Sequence, residues 1–94
     1  MKHFILVKFK DKSDTEKLLP EIKRLFDKTL AIKGVEKVEI HPSNSDRANR
    51  YSLMIEMTLT KAGLEAYDLS APHKEWKETY GDRFESKAIF DCEE

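Results

Sequence analysis

The sequence has one cysteine, no long hydrophobic run and almost no net charge, and each shortage excludes a class of protein. Cys92 alone can form no intrachain disulfide and gives no metal-ligand spacing. The 17 basic and 18 acidic residues among 94 nearly cancel. The chain therefore lacks the strong positive field that binding to nucleic acid or to an anionic membrane surface requires. We expect neither partner.

The apolar run near the start, Phe4 to Val7, is too short for a membrane span. Lys8 and Lys10 interrupt it before a signal sequence could form, and no apolar stretch elsewhere reaches transmembrane length. The three histidines are not spaced as metal ligands. These features predict a cytoplasmic protein that holds no metal and no cofactor.

A chain of 94 residues fits one domain, and no repeat, linker or low-complexity segment divides it. The sequence therefore predicts a single domain over residues 1–94. So short a chain buries a limited fraction of its surface, and oligomerisation commonly compensates for that.

Four segments have the composition and alternation of β-strands. His3 to Phe9 is apolar on both faces, which predicts a strand covered on both sides. Val35 to His41 is half apolar and predicts an edge strand. Arg50 to Leu59 alternates clearly, with Tyr51 on its apolar face, and Phe84 to Cys92 closes the chain as the last strand.

A first helix is predicted between the first two strands. Ser13 and Glu16 have the spacing of a capping box, and Gly34 would end the helix with a positive φ. Pro20 lies beyond the first turn and should kink the helix. The apolar stripe at spacings of three and four comprises Leu18, Leu19, Ile22, Leu25, Phe26 and Leu30.

The second helical region is predicted to break in its middle. Thr60 is a plausible N-cap for a helix through Leu69. Ser70 would then cap a new helix with Pro72 in its first turn, where proline is tolerated, and Gly81 would end it.

These elements predict an α+β, ferredoxin-like fold of order β-α-β-β-α-β. One face of its four-stranded antiparallel sheet would pack against the helices. The other would stay open, and an apolar sheet face of that size usually marks an interface. We expect a second copy to cover it, giving a homodimeric, closed or nearly closed α/β barrel. The open face would carry Phe4, Leu6, Met54, Ala88 and Phe90.

His3, Tyr67 and His73 are the residues best placed for proton transfer in an apolar setting. His73 could act as a general base while the Tyr67 hydroxyl orients a substrate carbonyl. The alternative is a buried polar cluster, in which His3 bonds to the backbone or to Tyr67 and His73 bonds a carbonyl near its helix start. The sequence leaves both interpretations open.

The chain resembles the Dabb family, the stress-responsive dimeric α/β-barrel domain, over nearly its whole length. The resemblance implies a ferredoxin-like protomer and a homodimer, and most members have no established reaction. The matching segments are His3–Lys10, Ile32–Val35, Tyr51–Thr58, Tyr67–His73 and Ala88–Asp91.

In one branch of that family, the plant polyketide cyclases, a histidine and a tyrosine drive an aldol-type ring closure. The resemblance carries those roles to His73 and Tyr67, and the strand-one pocket histidine to His3. It implies a pocket floor at Trp76. It also implies pocket walls at Ile5, Val7, Ile22, Leu25, Phe26, Val38, Ile55 and Met57.

This chain departs from the cyclases at several pocket positions. Ser70 replaces a histidine, Leu25 replaces a tyrosine, and Trp76 with Lys77 replaces a smaller aromatic and a glycine. Three functions stay open: a binding module for a small apolar or aromatic metabolite, a cofactor-free enzyme resembling a polyketide cyclase or a monooxygenase, and a structural dimer. A cavity of a few hundred Å³ beside His73 would favour the first two. A cavity filled by Trp76 would leave the third.

Overall fold

The computed structural model describes residues 1–94 and confirms the α+β, ferredoxin-like fold, with the second helical region divided in two. Two short 3-10 turns, Lys28–Ala31 and Gly81–Arg83, follow helices. None of the helices is both long and apolar enough to cross a bilayer. The elements are β1 (Lys2–Phe9), α1 (Asp14–Asp27), β2 (Val35–Pro42), β3 (Leu53–Leu59), α2 (Lys61–Asp68), α3 (Ala71–Tyr80) and β4 (Phe84–Cys92).

The four strands form one antiparallel sheet in the order β2-β3-β1-β4. The first strand is therefore central, and the predicted edge position of β2 is confirmed. Buried and half-buried residues alternate along β1, so its odd-numbered side chains face the helices. In the register of the sheet, His3 lies opposite Met57 on one side and Asp91 on the other.

The core lies between the inner face of the sheet and the three helices. Its α1 members are Leu18, Ile22, Leu25 and Phe26, which are four of the six residues of the predicted stripe. Burial of each such side chain contributes about 1.5–3 kcal/mol. The sheet and the last helices add Ile5, Val7, Phe9, Val35, Leu53, Ile55, Met57, Leu59, Tyr67, Trp76 and Tyr80.

The predicted start signals of the last two helices are confirmed. The Thr60 hydroxyl accepts a hydrogen bond from the Gly63 N–H at 3.0 Å, and the Ser70 hydroxyl accepts one from the His73 N–H at 3.3 Å. Gly34 has the predicted positive φ, 98°, but it does not end the first helix, which stops at Asp27.

The capping box predicted for α1 is wrong. Ser13 has helical dihedral angles and makes no side-chain cap. Its hydroxyl instead donates to the Asp11 carboxylate at 2.7 Å, and its N–H donates to the same oxygen at 2.9 Å. The Asp11 carboxylate is charged and therefore a stronger acceptor, so the Ser13 hydroxyl bonds to it instead of capping the helix. Pro20 lies within α1 and does not end it.

Two predicted core positions are also wrong. The helix ends at Asp27, and the tighter turn that follows leaves Leu30 46% exposed while it buries Thr29. Tyr51 is 39% exposed because β3 begins only at Leu53, where its pairing with β1 ends.

No helix covers the outer face of the sheet, which has an apolar half and a charged half. On the charged half, the Glu56 carboxylate lies 3.1 Å from the Lys2 ammonium and 3.1 Å from the His41 Nε2. On the apolar half, Phe90 is 60% exposed. The other apolar members, all half-buried, are Phe4, Leu6, Met54 and Ala88.

Candidate functional site

A cleft of about 250 Å³ opens between the inner face of β1 and β4 and the junction of α2 with α3. The three residues that the sequence singled out all lie around it. Its lining is His3, Ile5, Leu64, Tyr67, Asp68, His73, Trp76, Lys87, Ile89 and Asp91.

The break between α2 and α3 positions Tyr67 and His73. The Ser70 hydroxyl donates to the Tyr67 carbonyl at 2.6 Å and accepts from the His73 N–H at 3.3 Å. One side chain thus joins the last turn of α2 to the first turn of α3. As a result, the Tyr67 and His73 rings lie 4.7 Å apart between centroids.

The tautomer of His73 follows from its neighbour. Its Nδ1 lies 2.9 Å from the Asp68 carbonyl oxygen, which can only accept a hydrogen bond. Nδ1 must therefore carry the proton, and in the neutral ring Nε2 is left as an acceptor. His73 is half-buried, so the cleft holds a base whose ring orientation is set by the backbone.

His3 is held in a similar way by a carboxylate. Its Nδ1 lies 2.5 Å from the Asp91 Oδ1, directly across the β1–β4 pairing. The side chain of His3 is almost fully buried, and its ring meets that of Tyr67 edge-on with centroids 6.0 Å apart. The carboxylate accepts from Nδ1, so the neutral ring again leaves Nε2 free.

Two of the residues that line the cleft carry a hydrogen-bond donor without a partner in the protein. The Tyr67 hydroxyl and the Trp76 indole Nε1 are buried and make no hydrogen bond. Burial, assisted by the charge of Asp68, raises the pKa of Tyr67 well above its ordinary value of 10.0, so the phenol stays protonated at neutral pH. Buried donors without partners are rare and call for an explanation.

The family model for the stress-responsive A/B barrel domain, Dabb, matches residues 1–94. The chain belongs to the Dabb family. Comparison with curated proteins gave no match.

Solved structures share the fold of this Dabb protein at low sequence identity. A dimeric ferredoxin-like protein of unknown function from Bacteroides fragilis has a TM-score of 0.80 at 17% identity, covering 99% of this chain and 94% of its own. A Dabb protein from Mesorhizobium loti has a TM-score of 0.76 at 18% identity, covering 99% and 94%. A Bacteroides thetaiotaomicron protein, provisionally named an antibiotic biosynthesis monooxygenase, has a TM-score of 0.75 at 14% identity, covering 100% and 88%.

Most of the apolar walls implied by the cyclase branch do not border the cleft of this Dabb domain. Ile5 and Trp76 line it. The others pack between α1 and the sheet, where Val38 is half-buried. Those with at most 3% exposure are Val7, Ile22, Leu25, Phe26, Ile55 and Met57.

The large indole of Trp76 does not close the cleft. Its ring packs edge-on against Phe26, with centroids 5.0 Å apart, and lies 5.1 Å from the ring of Phe84. These contacts hold the indole against the core, and the cleft remains beside it.

Sequence reasoning missed the contribution of the last strand. Lys87, Ile89 and Asp91 alternate along β4 and line the cleft from its edge. Their common parity is visible in the sequence, but their position opposite β1 depends on the register. Desolvation and the nearby charge of Lys77 lower the pKa of Lys87. No three histidine, cysteine or carboxylate side chains come together as metal ligands.

Proposed function

We propose that this Dabb protein, as a single domain over residues 1–94, binds a small aromatic or apolar molecule in the cleft between its sheet and helices. The observation that carries the proposal is the Tyr67 hydroxyl. Tyr67 is fully buried and lines a cleft of about 250 Å³, and its hydroxyl has no partner within the protein. A bound molecule that accepts this hydrogen bond would remove the cost of the unpaired donor.

The size of the cleft sets the size of the ligand. Pockets for drug-sized molecules usually measure ~300–1,000 Å³, and this cleft, at about 250 Å³, is smaller. The volume suits a single aromatic ring with a short substituent and disfavours a tricyclic polyketide.

A second candidate function, cofactor-free catalysis, is supported by the free Nε2 atoms of the two histidines. His73 Nε2 could take a proton from a carbon beside a substrate carbonyl. The C–H electron pair would then delocalise onto the carbonyl oxygen, and Tyr67 would donate a hydrogen bond to that enolate. The enolate carbon would attack a second carbonyl of the same substrate to form a C–C bond, and the proton held by His73 would pass to the resulting alkoxide.

Binding of one-ring phenols and aryl ketones, measured by calorimetry, tests the first function. Tyr67→Phe should weaken binding by about tenfold or more, because it removes the donor and keeps the ring. Tyr80→Phe is the matched control: Tyr80 is also buried, but its hydroxyl donates to Glu21 at 2.8 Å, outside the cleft. Equal affinities for wild type and Tyr67→Phe would contradict the proposed site.

His73→Ala separates binding from catalysis. If the protein is an enzyme, this variant should lose turnover of a candidate phenolic or polyketide substrate by about 100-fold or more. A variant that retains both binding and turnover would remove the catalytic candidate. Failure of the wild type to bind any such compound would favour a structural dimer.

We also propose that a second copy of the chain covers the open sheet face. The Bacteroides fragilis relative is described as dimeric, and the apolar half of this face, with Phe90 60% exposed, lacks any covering element. The cytoplasm remains the proposed location, supported by the single free cysteine, Cys92.

A further inference from the structure

We propose that the indole N–H of Trp76 faces the cleft and there selects a ligand that carries an acceptor oxygen at its buried end. The ligand class is then a one-ring aryl ketone, aldehyde or carboxylate rather than a hydrocarbon. This inference rests on the proposed cleft ligand and goes further by naming the group that the floor of the cleft recognises.

The first support is the way the indole is held. Trp76 is fully buried, and its ring lies between those of Phe26, Tyr80 and Phe84, at centroid distances of 5.0, 5.6 and 5.1 Å. An indole nitrogen can donate but cannot accept a hydrogen bond. Packed among three aromatic rings, the side chain has little freedom to turn its unpaired N–H toward another acceptor.

The second support is the balance of donors and acceptors around the cleft. The Asp91 carboxylate is already engaged by His3, and the Asp68 carbonyl by His73. The buried groups left without partners, the Trp76 N–H and the Tyr67 O–H, are both donors at neutral pH.

The ammonium group of Lys87 adds a third donor at the edge of the cleft. A ligand with acceptor oxygens complements these three donors. A hydrocarbon would leave the two buried donors unpaired.

The experiment uses the fact that Trp76 is the only tryptophan in the chain. A ¹H–¹⁵N spectrum of the wild-type protein therefore contains one indole N–H resonance. The probes are acetophenone and α-methylstyrene, which have the same heavy-atom connectivity and differ in that a carbonyl oxygen of the first is a methylene group in the second. Acetophenone should bind at least about tenfold more tightly and move the indole proton resonance downfield. α-Methylstyrene should leave that resonance near its free position.

Trp76→Phe tests the same inference by removing the donor and keeping an aromatic ring. The preference for acetophenone should fall several-fold in Trp76→Phe and stay unchanged in Tyr80→Phe, since the Tyr80 hydroxyl already has Glu21 as partner. Should Trp76→Phe not fold, the wild-type indole titration decides alone.

The two proposals fail in different ways. If both probes bind equally and the indole resonance does not respond to acetophenone, the role of Trp76 is overturned and the binding cleft stands. If neither probe binds, the role of Trp76 is overturned, and the binding cleft is overturned too when calorimetry finds no binding of one-ring phenols.

Discussion

At the scale of single residues, two buried tyrosines differ in whether the hydroxyl has a hydrogen-bond partner. Burial and the Glu21 carboxylate raise the pKa of Tyr80 to about 12, and its hydroxyl donates to that carboxylate at 2.8 Å. Burial also raises the pKa of Tyr67, but its hydroxyl has no partner. The Tyr67 hydroxyl therefore makes no hydrogen bond that stabilises the fold, which is why we assign it to the proposed ligand.

The two tyrosines should respond differently to removal of the hydroxyl in the absence of ligand. Tyr67→Phe should leave the free energy of unfolding unchanged or raise it, because an unpaired buried donor disappears. Tyr80→Phe should lower it by about 0.5–1.5 kcal/mol through loss of the bond to Glu21. Urea denaturation of both variants measures this. A larger loss for Tyr67→Phe would contradict the prediction and indicate a buried water as the partner of Tyr67.

At the scale of secondary-structure elements, a close contact between two glycines sets the start of α2. The Thr60 N–H donates to the Gly34 carbonyl at 2.8 Å. A Cβ added at Gly63 would lie 2.6 Å from the carbonyl carbon and oxygen of Gly34, so the backbones can meet only without side chains. This contact anchors α2 against the start of β2, and the last turn of α2 carries Tyr67.

Gly34→Ala should therefore destabilise the protein by about 1–3 kcal/mol, because Gly34 has a φ of 98° and a Cβ there would lie 2.6 Å from the Thr60 hydroxyl oxygen. Thermal unfolding followed by circular dichroism measures the change. Gly81→Ala is the matched control, since no atom lies within 4 Å of its Cβ position and its φ is −53°. Equal melting temperatures for the two variants would show that the glycine contact does not constrain the fold.

At the scale of the whole molecule, the two faces of the sheet differ in what covers them. The inner face carries the core and, near the β4 edge, the proposed cleft with His3 and Asp91. The outer face has no covering element and carries Phe4 and Phe90, whose rings lie 6.3 Å apart between centroids. Association through the outer face would therefore leave the cleft accessible in each protomer.

Phe90→Glu should weaken the proposed dimer by about a hundredfold or more, because an unpaired charge would be buried at the interface. Light scattering at micromolar concentration should report a dimer for the wild type and a monomer for this variant. Leu69→Glu is the control: Leu69 is 91% exposed at the α2–α3 junction, away from the outer face, and should stay dimeric. A monomeric wild type would contradict the dimer.

The candidate site was partly predictable from the sequence. The parity of β1 assigned His3 to the face that the helices cover, and the Ser70 break indicated that Tyr67 and His73 come close together. The pairing of His3 with Asp91 was not predictable, because it depends on the register between the first and last strands. Tyr51 and Leu30 were placed in the core because local alternation does not show where a strand or helix ends.

The sequence by itself determined the order of the elements, the helix starts at Thr60 and Ser70 and the two faces of the sheet, because these follow from local hydrogen bonding and from hydrophobic periodicity. The tertiary structure alone decided that a cleft of about 250 Å³ remains beside Trp76 and that the indole and the Tyr67 hydroxyl lack partners. Cavities and unpaired donors depend on how closely helices and sheet approach one another in three dimensions, and no pattern along the chain encodes that distance directly.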